Sequence, residues 1–160
     1  MARIAIINDE SEVVALIFQF LTHGNHEFFK AIGVSHYVVE SLISFQPEVI
    51  VLPLFRTPEA IGRPVRDYRR DIRGAVLLET ICRRPELDDV PIILFGISTL
   101  VEEMPADFRA RVHFSDFLLF PEGLQLLNPT ISGYVGSARS TPEDLARLKR
   151  TLEGLRRHEE

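Results

Sequence analysis

The stretch QPEVIVLPL occupies residues 46–54, and its last six residues form an apolar run without polar alternation. A strand that is apolar at every position is covered on both faces, the environment of a central strand in a parallel sheet. Two runs of the same kind stand at residues 3–7 and 91–95, and weaker ones at 31–34 and 117–120. Longer amphipathic stretches separate them. Strands alternating with helices in this way predict an α/β doubly wound sheet of five strands with helices on both faces.

Ser11 can cap a first helix that runs to about residue 23. A second helix is expected over 37–45, and a third over 75–84, where Pro85 stops it. Pro105 interrupts the pattern over 99–111, so a short or broken helix is expected there. Thr141 as a cap, Pro142 at the first helical position, and the acids Glu143 and Asp144 mark a last helix over 142–157. In the first helix Val13, Val14, Leu16, Ile17, Phe18, Phe20 and Leu21 span an arc wider than one sheet contact needs. That surface calls for an oligomer contact, a cover from the C-terminal part of the chain, or a larger core. Two segments exceed the usual connection length, 56–73 and 122–140, and the second carries the turn-rich string NPTISGYVGSARS. Both are read as insertions in one domain over 1–160.

At 160 residues, 46% of them hydrophobic, the chain can bury a core by itself. Its net charge of -5 argues against nucleic acid and anionic membrane surfaces as partners. Cys82 is the only cysteine, which excludes an internal disulfide framework and fits a cytoplasmic setting. No segment reaches the roughly 20 apolar residues of a membrane span. His23 and His26 lack a second ligand pair, and His36 and His113 stand alone, so neither a metal nor a cofactor is expected. No glycine-rich phosphate loop or nucleophile elbow is present, which argues against an enzyme.

Ordered landmarks then carry a resemblance over almost the whole chain. RIAIINDE at 3–10, QPEVIVLPL at 46–54, LLETICRRPELDDVPIILFGI at 77–97 and FSDFLLFP at 114–121 together resemble a response-regulator receiver domain of two-component signalling. The resemblance implies a flavodoxin-like, CheY-like sheet in the order 2-1-3-4-5. It also implies an aspartate that accepts a phosphoryl group at the end of strand three, an acidic pair for Mg2+ after strand one, a hydroxyl after strand four and a lysine after strand five. Those places fall on Pro53, on Asn8 with Asp9, on Gly96 and on Phe120. Pro53 offers no nucleophile, and the ring of Phe120 opposes a phosphoryl dianion where a cation would neutralise it. Asp9 remains as a weak metal ligand or a turn acid. An atypical pseudo-receiver with a vestigial phosphorylation site is therefore expected.

Six arginines, at 56, 63, 66, 69, 70 and 73, stand in the first insertion against Glu59, Asp67 and Asp71. Arg63, Arg66, Arg69 and Arg70 are candidates for an anion pocket. The alternative is an ordinary surface helix from Pro64 onward, in which Asp67 pairs with Arg63 and Arg70 and Asp71 with a neighbouring arginine. The working face implied by the resemblance includes Phe117 and, on the last helix, Arg147, Arg150 and Arg157. A phosphorylation-independent module acting on a signalling protein partner is expected, with a homodimer as a candidate assembly. The alternative function is a sensor of an anionic small molecule.

Overall fold

The computed structural model describes residues 2–8, 11–21, 26–32, 36–97, 99–120, 122–138 and 150. Parallel strands β1 (Arg3–Asn8), β2 (Glu27–Ile32), β3 (Val49–Arg56), β5 (Ile92–Gly96) and β6 (Asp116–Leu119) form the sheet in the order β2-β1-β3-β5-β6. A two-residue strand β4 (Ile72–Arg73) pairs antiparallel with the end of β3, Phe55 opposite Arg73. Without β4, which the sequence did not announce, the order is the expected 2-1-3-4-5.

Side-chain alternation divides each central strand between two cores. Ala5, Ile7, Ile50, Leu52, Leu54, Ile92 and Leu94 point to one face, where helices α2 (His36–Phe45) and α4 (Ala75–Cys82) bury Val39, Leu42, Leu77 and Leu78. Ile4, Ile6, Val49, Val51, Ile93 and Phe95 point to the other, under α1 (Ser11–Leu21) and α7 (Leu127–Ala138). This two-sided burial is why no polar alternation interrupts the runs. The edge strand β2 lies upstream of its expected place at 31–34. Its register, Arg3 opposite Glu27 through Asn8 opposite Ile32, brings polar Glu27 and Lys30 into the strand and hides it from a search for apolar runs.

The interruption at Pro105 is present: α5 (Thr99–Glu102) and α6 (Ala106–Arg109) are separate single turns. Two expectations are corrected. Segment 122–140 is not a turn-rich insertion, because a 3-10 turn at Glu122–Leu126 leads directly into α7. Pro129 sits in the first turn of α7, where backbone N–H groups lack helical partners in any case. Leu127 and Ile131, one helical turn apart, are buried with Val14, Ile17 and Leu21 of α1, which outweighs the poor helix propensity of the glycines. α7 and the preceding turn thus supply the second neighbour that the broad apolar arc of α1 required, although Leu16 stays 37% exposed. Nor is segment 56–73 a helix from Pro64 onward. It contains a 3-10 turn at Pro58–Ala60 and one helical turn, α3 (Tyr68–Asp71), before β4. The expected helix over 142–157, with Arg147 and Arg157, lies outside the described residues except for Arg150, which is helical and exposed.

Among the described residues, no helix is long and apolar enough to cross a membrane. Ile131→Ala should cost about 2–5 kcal/mol in denaturant unfolding. Leu126→Ala, at a site 54% exposed, should stay within about 0.5 kcal/mol of the parent.

Candidate functional site

The carboxyl ends of β1, β3, β5 and β6 meet at one edge of the sheet, the edge at which open α/β sheets place their ligands. Pro53 sits there in the central strand, buried, and has no N–H to give to a ladder. The β1–β3 pairing runs only from Ile4 opposite Val49 to Ile6 opposite Val51. Beyond it, Asn8 Nδ2 donates a 2.7 Å hydrogen bond to the Pro53 carbonyl. Asn8 is wholly buried, so this bond also satisfies a side-chain donor that would be costly to leave unpaired. From the other side Gly74, at φ +91, approaches so closely that a Cβ there would lie 2.5 Å from the same carbonyl oxygen.

Gly96 ends β5. A Cβ at this position would stand 2.2 Å from the Leu54 carbonyl oxygen, so the backbone leaves no room for a hydroxyl-bearing side chain. Phe120 follows β6, and its N–H donates to the Gly96 carbonyl at 2.8 Å. Its ring meets Phe55 and Phe95 edge to face, at centroid distances of 5.6 and 5.8 Å. Phe95 is fully buried while Phe120 is 36% exposed, so Phe120 forms the outer side of an aromatic cluster over the sheet edge. Four of the sequence-expected positions, Asn8, Pro53, Gly96 and Phe120, are thus assembled at one place. Asp9 lies outside the described residues, as does Pro121. Sequence reasoning missed Phe55, Phe95 and Gly74; the aromatic at position 120 was the one signal that pointed toward a cluster.

Asn8, Pro53, Gly96 and Phe120 themselves supply no carboxylate for a Mg2+ ion. The carboxylates described near the end of β3 are engaged by arginines, Glu103 by Arg56 and Asp71 by Arg63, and the Pro53 carbonyl accepts from Asn8. Among the described residues no three His, Cys, Asp or Glu side chains gather in a way that could hold a metal ion.

The arginines of 56–73 are separated by function. Arg63 forms a two-pronged ion pair with buried Asp71, at 2.9 and 3.0 Å, and Asp71 also accepts from the N–H groups of Arg66 and Asp67. The Arg63 fork and these backbone donors hold the Asp71 carboxyl well below the usual carboxylate range. Arg69 pairs with buried Glu79 at 2.8 Å, and Glu79 is held on its other oxygen by Arg83. Arg66 and Arg70 are exposed and form no ion pair among the described residues. Asp67 does not make the expected pairs with Arg63 and Arg70, because the single turn of α3 puts Asp71, not Asp67, inside the arginine fork. Phe117 is half-buried against the core of the α2 and α4 face.

No protein-family profile matches the chain, and no curated protein sequence matches it. Solved structures do. NtrX from Brucella abortus is 19% identical with a TM-score of 0.57, over 96% of this chain but 29% of its own, so the chain spans under a third of that protein. The signal receiver domain of a signal transduction histidine kinase from Syntrophus aciditrophicus is 17% identical with a TM-score of 0.62, over 88% of this chain and 95% of its own. The chemotaxis response regulator CheY4 of Vibrio cholerae is 15% identical with a TM-score of 0.56, over 82% and 98%.

Two outcomes test this geometry. Gly96→Ser should destabilise the fold by about 1–3 kcal/mol, since the Leu54 carbonyl must move. Asp71→Asn should lower Tm most near neutral pH. A carboxylate whose folded pKa is depressed contributes above its unfolded value, about 3.9, and loses that contribution as pH falls. The Tm gap should therefore narrow progressively as pH falls below about 4 toward the depressed folded value, whereas a pH-independent gap would contradict the role given to Arg63. The chain has the flavodoxin-like fold of response-regulator receiver domains.

Proposed function

We propose that the chain is a receiver-like signalling module that works by protein contact and takes no phosphoryl group on its own sheet edge. One observation carries this reading: at the sheet edge Asn8 donates to the Pro53 carbonyl and the ring of Phe120 packs on Phe55 and Phe95. Phosphoryl transfer to a protein needs a nucleophile, neutralising cations and space around the transferring group. Pro53 supplies no nucleophile, Phe120 no cation, and Gly96 no hydroxyl, since a side chain there would meet the Leu54 carbonyl. The site is vestigial on this reading, and the chain is not an enzyme.

Contact with a signalling protein is supported by apolar side chains left open beside the crevice. Ile97, Leu119 and Phe120 are 42%, 45% and 36% exposed at the ends of β5 and β6. Half-buried Phe117 lies in the same edge strand, and Arg147, Arg150 and Arg157 are further candidates for the contact with a partner. A second copy of the chain is a candidate occupant of this face, and neither nucleic acid nor a membrane is a proposed partner. The anion-sensor alternative relies on Arg63, Arg66, Arg69 and Arg70. Two of these, Arg63 and Arg69, are already paired with Asp71 and Glu79, which weakens it.

Incubation with acetyl phosphate and Mg2+, read by intact mass, tests the proposal. The native chain and Pro53→Asp should both remain free of an acid-labile phosphoryl adduct. An adduct on the native chain would overturn phosphorylation independence, and an adduct on Pro53→Asp alone would show that the rest of the site is intact rather than vestigial.

A further inference from the structure

Residues 56–73 do more than bridge β3 and α4. They are closed into a block around Asp71, whose carboxylate takes the Arg63 fork and two backbone N–H groups and whose carbonyl accepts from Thr57 N at 2.8 Å. The pairing of β4 with the end of β3 ties this block to the sheet.

From the block, four contacts reach across to α5, α6 and Glu103 between them. Arg56, with its side chain 17% exposed, places Nη2 at 2.7 Å from both carboxylate oxygens of Glu103, just past α5. Tyr68, 2% exposed, donates its hydroxyl to the Leu100 carbonyl of α5 at 2.8 Å. The Tyr68 ring packs on Phe108 of α6 at a centroid distance of 4.8 Å, and the Arg69 guanidinium lies 5.3 Å from the same ring. Burial, with the nearby Glu103 charge, raises the Tyr68 pKa, so its hydroxyl stays a donor throughout the working pH range.

α5 and α6 are single turns separated by Pro105 and cannot hold their geometry by helical cooperativity. We propose that residues 56–73 are a built-in clamp, with Arg56 and Tyr68 as its grips, that fixes the 99–109 segment in one position. The segment lies directly beyond β5, so the clamp sets the surface next to the Ile97 and Phe120 face. This rests on the reading of a module without phosphoryl input: the chain's own insertion supplies the constraint that an external signal would otherwise impose.

Hydrogen exchange of the full chain, with no phosphodonor present, tests the clamp separately from phosphorylation, which the adduct measurement decides. Arg56→Gln and Tyr68→Phe each remove a grip without emptying the core. In each variant the amides of residues 99–109 should exchange about tenfold faster, while those of residues 4–7 and 49–52 stay protected. Glu103→Gln should reproduce Arg56→Gln, and the double change should add nothing further, as expected for one shared ion pair. Unchanged exchange over 99–109, or an equal rise in the central strands, would overturn the clamp.

Discussion

The 2.7 Å hydrogen bond from Asn8 to the Pro53 carbonyl lies where the central strands of the sheet end together. A proline in a central strand removes a backbone donor, and the regular pairing of β1 with β3 stops at Val51. An amide side chain on the neighbouring strand then takes over the free carbonyl. Each residue makes the other tolerable: Asn8 is a buried polar group that needs an acceptor, and Pro53 interrupts a ladder that needs closing. Gly74 and Gly96 complete the arrangement by letting backbone pass within distances that a Cβ would forbid.

Around this point aromatic rings pack over the edge. Phe120 meets Phe55 and Phe95 edge to face at this edge, and a low-dielectric aromatic cluster disfavours bringing charge to that place. Asp71 and Glu79 are buried carboxylates, each satisfied by guanidinium donors from the arginine-rich segment. Buried ion pairs of this kind fix geometry more surely than they add stability, because desolvation offsets much of their attraction. Their consequence is a defined conformation for residues 56–73, from which Arg56 and Tyr68 reach the short turns α5 and α6.

Much of the fold was legible in the chain. Continuous apolar runs at β1, β3 and β5 announced a sheet covered on both faces, and Pro105 announced the break between α5 and α6. β2 was misplaced because an edge strand may carry Glu27 and Lys30, so its pattern is not that of a buried run. α7 was hidden because Pro129, Gly133 and Gly136 read locally as turns. Its helix exists through the burial of Leu127 and Ile131 against α1, a contact between segments more than a hundred residues apart.

By itself the sequence determined the strand order's raw material and the identities of Asn8, Pro53, Gly96 and Phe120, since residue type at an ordered landmark is a local property. Only the tertiary structure decided what these residues do to one another: that Asn8 donates to Pro53, that Leu54 blocks a side chain at Gly96, and that Phe120 finds Phe55 and Phe95. It also decided which arginines remain open, because Arg63 and Arg69 are indistinguishable from Arg66 and Arg70 in composition. The difference lies in where one turn of helix and a two-residue strand place Asp71 and Glu79. Such pairings depend on distances of a few ångströms between separate elements, and spacing along the chain does not encode them.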